Sequence, residues 1–589
     1  LMLIDRHLWA EVSWQECLGF RTDTERCKTI LTAFGGALGL DKSVKCLVGQ
    51  EMTAGGLPAV ASEYQASGES LMQIFAYRTQ RPYKHSFGLG ILGLVLGLLV
   101  WIAPVYAQEV LRIPYVADIG TFDPDNGFET GAISAMNNVY EGLVEYEPGS
   151  TRIVGRLARS WEISDDGLTY TFHLVDGVKF HDGTPFNAAA VINSFERRRD
   201  RGLNQSYTLA NVRDMRAPDD STVVLRLGHP QPSLLDALSS PWGPKIISPV
   251  ALAEHDNGDF ATTWLNEHAV GTGPFKLAEF KRGQRYVLER NDDYWGDRPF
   301  FRQILISVVP DISQQILQLQ AGVIDAVPLN YPFSQLTSLP GGLEITAAPS
   351  MIPYHLFVKP NSPLDDAEVR KAVLTAINPA LWVKDAFGEF ASLSKSVYPK
   401  VMLDPVNPIR FPTDFEAAKA AIARHGPVNL VIGLHSAAPS YARIADLMIA
   451  QLASIGVKAT AYVLPSGAAY TLKDDPNPPD LLLTIAGPDA AHPDSQAKAF
   501  FTKGAPLNFF GRALPEADAI VDQAGQATDV KERDALYERA GQMYFDAGII
   551  VPLVDVNDVV VHAKGLKDLG LRPVNPPGNI DFATVRRGP

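Results

Sequence analysis

The spacing of apolar positions divides the chain beyond residue 109 into two regimes. Residues 110–116 alternate like a strand, 121–126 are turn formers, and about 132–143 carry the three-to-four spacing of a helix. From about 153 the apolar runs shorten to β length at 168–174, 178–180 and 222–227, with a helical stretch at 191–199 between them. Short helical turns are predicted at 234–238 and 249–252. Two strand-like runs, 275–280 and 286–288, flank the polar break 281–284 and predict a hairpin, and 301–310 predicts the strand leading out of it.

From residue 312 onward helices and strands alternate. Helices are predicted at 312–321, 367–376, 440–455, 516–526 and 530–547, and strands at 326–328, 354–358, 428–434, 458–463, 480–485 and 549–554. Such alternation predicts α/β layers with largely parallel strand pairing. No internal repeat or low-complexity linker interrupts the pattern, which fits lobes joined by crossing strands better than domains on a tether. The 482 residues from Gln108 to Pro589 exceed what one hydrophobic core serves, so at least two lobes are expected.

The preceding residues change the picture of where the protein works. Arg78, Arg81 and Lys84 precede an uncharged apolar run at 86–102, and Val105 and Ala107 then occupy the two recognition positions of a small-residue cleavage site. The run is short for a membrane span, which needs roughly 20 apolar residues. Residues 72–107 therefore predict a secretory signal cleaved after Ala107, hence a periplasmic protein. Residues 1–71 stand upstream of Met72 and are expected to be an extension without a domain of its own. All three cysteines, Cys17, Cys27 and Cys46, lie in that extension, so neither a disulfide framework nor a cysteine-ligated metal is expected in the mature chain. Acidic and basic residues balance before Gln108, so the whole net charge of −14 falls on the mature chain and disfavours nucleic acid as a partner.

Several motifs resemble those of the family 5 extracellular solute-binding proteins, the peptide-, nickel- and opine-binding components of ABC importers. They are YEGLVEY at 140–146, LARSWEISDDGLTYTFHLVDGVKFHDGTPFNAAAV at 157–191, GTGPFKLAEFKRGQRYVLERNDDYWG at 271–296, LQAGVIDAVPL at 319–329 and DDAEVRKAVLTAINPALW at 365–382, in the family's order. The resemblance implies an α/β, two-lobed periplasmic binding protein fold of the Venus flytrap type, with an extra small α+β subdomain in the N-terminal lobe. On this chain it implies a first lobe at 108–145, 241–310 and 556–589, the subdomain at 146–240 and a second lobe at 311–555, with hinge strands near 309–312 and 554–557. It further implies capture of a peptide or peptide-like solute in an interlobe cleft, and delivery to ABC transporter permease subunits and their ATPase by a monomer without cofactor. A ligand sensor of the same fold, regulating a membrane or signalling partner, is the alternative.

Candidate chemistry is sparse. Asp165-Asp166 and His181-Asp182 each run into a glycine turn, the twelve histidines show no HxH or HxxxH spacing, and nucleophile and phosphate-loop motifs are absent, so neither catalysis nor a metal site is expected. Asp489 follows a buried strand run and the breakers Gly487 and Pro488, which puts it at a strand's carboxyl end, where α/β lobes hold ligands. On residue type alone it reads as a turn or helix cap. By the resemblance, Asp489 and Pro493 match the D-x-x-x-P position at which peptide-binding members hold an α-ammonium. Ala486 and Leu483 stand where such members often carry Trp and Arg, so Ala486 and Gly487 would line a site without that aromatic wall. The loop GFETG at 127–131 matches the family loop that runs along the ligand backbone, placing Phe128, Glu129 and Thr130 at the cleft; an ordinary surface loop is the other reading. Tyr207 is a weaker candidate, equally well read as a packed tyrosine. Tyr354 and His355 read first as core strand residues.

Overall fold

The hairpin announced by the sequence organises the first sheet. In the computed structural model, which describes residues 109–588 apart from 128, 129, 204, 466 and 575, Phe275–Lys281 and Arg285–Arg290 pair antiparallel. The turn between them holds Gly283 at φ 70°, a conformation open to glycine and costly for other residues. Gln303–Val308 adds antiparallel to the second arm, and Val110–Tyr115 lies parallel beside it. All the described residues belong to one compact unit. The expected extension and signal segment, 1–107, lie outside the described residues.

The subdomain carries a four-stranded antiparallel sheet in the order Ala158–Ile163, Thr169–Leu174, Thr222–Leu227, Val212–Asp219. Its period-two pattern buries Tyr170, Phe172 and Leu174 against helix Ala188–Arg201, where Phe195 is fully buried. Asn187 caps that helix by accepting the Ala190 amide, and Gly202 ends it at φ 59°. The run at 178–180 does not become a strand. It makes a single bridge from Lys179 to Pro185, because Gly183 and Pro185 turn the chain back at once.

Parallel pairing is the expectation that fails. In the seven-stranded sheet, Asn429–Leu434 is parallel to Lys458–Val463 and to Leu481–Ile485. The central strand Leu343–Val358, however, runs antiparallel to both Leu481–Ile485 and Ile550–Ala563. Alternation along the chain cannot report the direction of a strand that returns from the far end of the sequence. Both central strands are also much longer than the predicted runs, at 16 and 14 residues: only one end of Leu343–Val358 is continuously buried, and in Ile550–Ala563, buried nearly throughout, Asp555, Asn557 and Asp558 interrupt the apolar pattern.

These long strands join two cores. Ile352, Tyr354 and Leu356 pack with Val551, Leu553 and Val554 under Trp382, Met448 and Leu452 in the second lobe. Val560, farther along the same strand, packs in the first lobe's core with Ile113, Leu288 and Ile304. The strand pairing shifts register between Ala348 and Ile352, opposite Val556 and Asp558. Residues 312–327 remain with the first core. Helix Ile312–Gln320 leads to Asp325, which is almost fully buried and held by Arg112 of the first sheet at 3.1 Å and by Arg587 at 2.8 Å, while the adjacent Ala326 joins the first core itself. Helices Ala367–Ala376, Phe415–His425 and Pro439–Ser454 cover one face of the second lobe's sheet. Pro515–Ala524 and Val530–Asp546 cover the other.

Candidate functional site

Leu481–Ile485 is the buried strand the sequence predicts, and its end delivers a loop to the boundary between the lobes. Gly487 lets that loop pass close to the crossing strand, since a Cβ there would stand 2.9 Å from the Met351 carbonyl oxygen. Asp489 follows, and its carboxylate Oδ2 accepts a hydrogen bond from the Tyr207 hydroxyl of the subdomain. Its backbone oxygen accepts the Ser240 hydroxyl at 2.7 Å. Two residues on, the Ala491 amide donates to the Tyr146 hydroxyl at 3.0 Å, and that hydroxyl donates to Asp236 Oδ1 at 2.9 Å. Residues 489–491 of the second lobe are thus gripped at three points by the first, in a closed arrangement.

Electrostatics at this contact favour a cation. Burial pushes the Asp489 carboxyl above its usual range, and the Tyr207 hydrogen bond holds it back. Among the described residues, Oδ1 receives no hydrogen bond. An enclosed carboxylate with one free acceptor suits an ammonium group, which would both neutralise it and donate to it. Tyr207 is 49% exposed and borders an open groove of about 450 Å³ with Arg199, Asp200 and Arg213, while its hydroxyl is turned to Asp489. Asp236 is pushed up to about 6 by burial, a rise moderated by the Tyr146 hydrogen bond and by the positive charge of Arg533 in the second lobe.

A buried ionic clamp sets the neighbouring loop. Arg197 grips Asp123 with both terminal nitrogens, at 2.9 and 2.6 Å, and Arg198 bonds Asp125 Oδ1 at 2.6 Å and the Pro124 carbonyl at 2.8 Å. All four side chains are almost fully buried. Gln205 then donates to the Gly127 carbonyl, two residues before Tyr207. The start of the 127–131 loop is thereby tied beside Tyr207. Phe128 and Glu129 themselves lie outside the described residues, and Thr130 opens the short turn Thr130–Ala132.

Ala486 needs correcting as a side-chain contact. It is 0% exposed, its methyl packs in the second lobe's core, its amide donates to Pro353 O at 3.1 Å, and its carbonyl accepts Gln496 Nε2 at 3.1 Å. Strand pairing carries one residue past the predicted end and buries it. Tyr354 and His355 are core residues as expected, bonded to Ser440 at 2.8 Å and to the Val397 carbonyl at 3.1 Å. His181 and Asp182 serve the scaffold, contacting the Gly273 carbonyl and the Ser248 hydroxyl. Sequence reasoning missed Tyr146, Asp236, Ser240 and Arg533. Tyr146 lies in the 140–146 motif, but the predicted helix runs through 143, whereas the helix ends at Val139 and Val144–Tyr146 is a strand. Nothing in the sequence marks the other three.

Known proteins agree with this architecture. Residues 152–508 match the family model described as bacterial extracellular solute-binding proteins, family 5 Middle. The chain is 28% identical over 505 residues to the probable D,D-dipeptide-binding periplasmic protein DdpA of Escherichia coli K12, covering 83% of this chain and 97% of that one. The structure of the Helicobacter pylori periplasmic binding protein DppA, solved with the peptide STSA, superposes with a TM-score of 0.67 at 26% identity, covering 82% of this chain and 98% of DppA. Campylobacter jejuni NikZ, solved with Ni(L-His), has a TM-score of 0.70 at 22% identity over 82% of this chain and all of its own, a likeness of fold. With its motifs, its two cores joined by crossing strands and a family match over more than half its length, this chain belongs to the bacterial extracellular solute-binding proteins of family 5.

Proposed function

We propose that this protein captures a peptide or peptide-like solute between its lobes, with the solute's ammonium group on Asp489, and delivers it to the permease of an ABC transporter. The observation that carries the reading is the enclosed Asp489 carboxylate, bonded by Tyr207 on one oxygen and open on the other. Relatives named for a D,D-dipeptide and for peptide transport, and a neighbour solved with a four-residue peptide, support the same class of cargo. The 127–131 loop, tied beside Tyr207 by Gln205, is suited to run along the solute backbone. Gly487 offers backbone rather than a side chain.

Closure is the working motion. The lobes rotate about the two long strands where their pairing shifts register, at 348–352 and 556–558, and solute touching both lobes shifts the open–closed balance. A preference for the closed state of roughly 5 kcal/mol moves a population from mostly open to mostly closed. The protein is exported by the signal at 72–107, acts as a monomer, and binds without turning over its cargo; permease and ATPase supply the work.

Native mass spectrometry of protein purified from its own periplasm tests this reading. A retained mass matching an amine-bearing solute, together with compaction in small-angle scattering when that solute is restored, is the expected result. A retained solute without an amine, or binding without compaction, overturns it.

A further inference from the structure

Beside the Asp489 contact lies a small, partly open cavity of about 60 Å³, bounded by Asn137, Ser239, Lys245, Arg572 and Asn579 among others. Its polar groups are incompletely satisfied. The Asn137 Oδ1, Tyr140 Oη, Ser239 Oγ and Asn579 Nδ2 atoms are buried with no hydrogen-bond partner among the described residues, and Asn579 and Ser239 are only 4% and 6% exposed. Asn579 is oriented by Ser134, whose hydroxyl donates to its Oδ1 at 2.7 Å, so the amide nitrogen is the end left over. Buried polar groups are normally paired, and a cluster of exceptions lining one cavity points to an occupant.

The charge balance says what kind. The three carboxylates that line the cavity are already engaged by its two arginines: Arg156 with Glu141 at 2.6 Å and Glu145 at 3.5 Å, and Arg572 with Asp581 at 2.9 Å and Glu145 at 3.6 Å. Lys245 adds a further positive charge, and among the described residues no hydrogen bond or salt bridge reaches its ammonium. The unsatisfied set is therefore rich in donors and carries one cation, with Asn137 Oδ1 the acceptor.

Resting on the reading of the neighbouring cleft given above, we infer that this cavity is a carboxylate-binding site in which Lys245, Ser239 and Asn579 hold the acidic group of the captured solute. The space is large enough for a carboxylate head, and the rest of the solute stays in the cleft. The two sites share a wall. Ser239 precedes Ser240, which bonds the Asp489 carbonyl, and Tyr146 both lines the cavity and accepts the Ala491 amide.

Proton balance gives the site a signature. Burial, with Arg198 and Arg572 nearby and only partly offset by Glu145 and Glu141, brings Lys245 down to about 7. A bound carboxylate restores a counter-charge and returns the ammonium toward its ordinary range. Above pH 7, binding therefore takes up a proton.

The test follows Lys245 in the full chain labelled at lysine Cε, by carbon NMR, with the signal assigned by its loss in Lys245→Met and, should that variant fold poorly, in Lys245→Gln. Sodium acetate at about 0.1 M is expected to move the Lys245 titration from near 7 to above about 8, and sodium chloride at equal ionic strength to leave it in place. An unchanged titration in acetate means that only water occupies the cavity, and overturns the inference. A second arm compares dialanine with alanyl-alaninamide. Lys245→Met should weaken dialanine at least about tenfold and spare the amide, whereas Asp489→Asn should weaken both. Acetate moving Lys245 while Asp489→Asn has no effect would sink the cleft reading and leave the cavity assignment standing.

Discussion

Replacing Asp489 by Asn tests the proposed ammonium contact most directly, because it should move ligand affinity and empty-protein stability in opposite directions. In the closed arrangement the carboxylate is sheltered, raised by burial, and engaged on one oxygen by Tyr207. Removing one partner of a buried, hydrogen-bonded charge pair costs about 2–5 kcal/mol. Asp489 keeps partial exposure and Tyr207 borders an open groove, so the lower part of that range applies, about 2–3 kcal/mol, or roughly 30- to 150-fold in Kd. Without ligand the sign reverses. A carboxyl pushed up by burial is more costly charged in the folded protein than in the unfolded chain, so the neutral amide should raise the melting temperature of the empty protein at neutral pH. Calorimetric titration of dialanine and of N-acetyl-dialanine into both proteins measures the first effect. The wild type should prefer the free amine and Asp489→Asn should lose that preference. Affinity of the wild type for the amine should also fall as pH drops through the raised Asp489 value, because the ligand must then displace a proton. Tyr207→Phe, which removes a donor to the same carboxylate while keeping the ring, should cost less, about 0.5–1.5 kcal/mol. If Asp489→Asn retains the wild-type preference for the free amine, the ammonium assignment is wrong.

Three further outcomes follow from the structure. Tyr146→Phe removes the hydroxyl that accepts Ala491 N–H and donates to Asp236; it should weaken closure by about 1–3 kcal/mol, read as a larger radius of gyration with ligand and a roughly 5- to 150-fold rise in Kd, and an unchanged Kd would refute it. Asp558, on the crossing strand, is pushed up to about 7 by burial, against hydrogen bonds from Gly578 and Val559. Folding then takes up a proton between about pH 4 and 7, so its burial cost is absent below about pH 4, grows as pH rises from 4 to 7, and is fully present above 7. Asp558→Asn should therefore raise the melting temperature at pH 8, by the equivalent of up to about 4 kcal/mol, and leave it nearly unchanged at pH 4; equal shifts at both would exclude this origin. Glu141 is 4% exposed and accepts from Arg156, Thr272, Tyr294 and Trp295 at 2.6, 2.7, 2.8 and 2.9 Å, so Glu141→Gln should cost about 3–5 kcal/mol in urea unfolding, and a loss under 1 kcal/mol would contradict it.

That last network gives a physical reason for the YEGL and DYWG motifs, which the sequence could offer only as kinship. Glu141 comes from one, Tyr294 and Trp295 from the other, and Arg156 from between them, so a single buried carboxylate ties the two segments together. The residues of the 489–491 contact are a different case. Asp489 was legible because a buried run, two breakers and an acid stand in a row, and because its pattern matched known relatives. Ser240, Asp236 and Arg533 carry no local pattern at all; their roles exist only because Leu234–Ser239 and the start of Val530–Asp546 are brought to the same edge of the cleft.

Local periodicity, capping residues and turn formers determined where most helices and strands form, because those choices depend on neighbours within a few positions: 367–376 and 458–463 are predicted to the residue. The sequence also determined that one core could not suffice. Tertiary structure alone decided the direction of the central strands, the length of the two that cross between cores, and the burial of Ala486, because each depends on a partner hundreds of residues away. It also decided that Lys245, an unremarked lysine in a loop, stands in a polar cavity. Strand direction, burial and unmet hydrogen bonds are properties of what a residue faces, and that is written in no single stretch of chain.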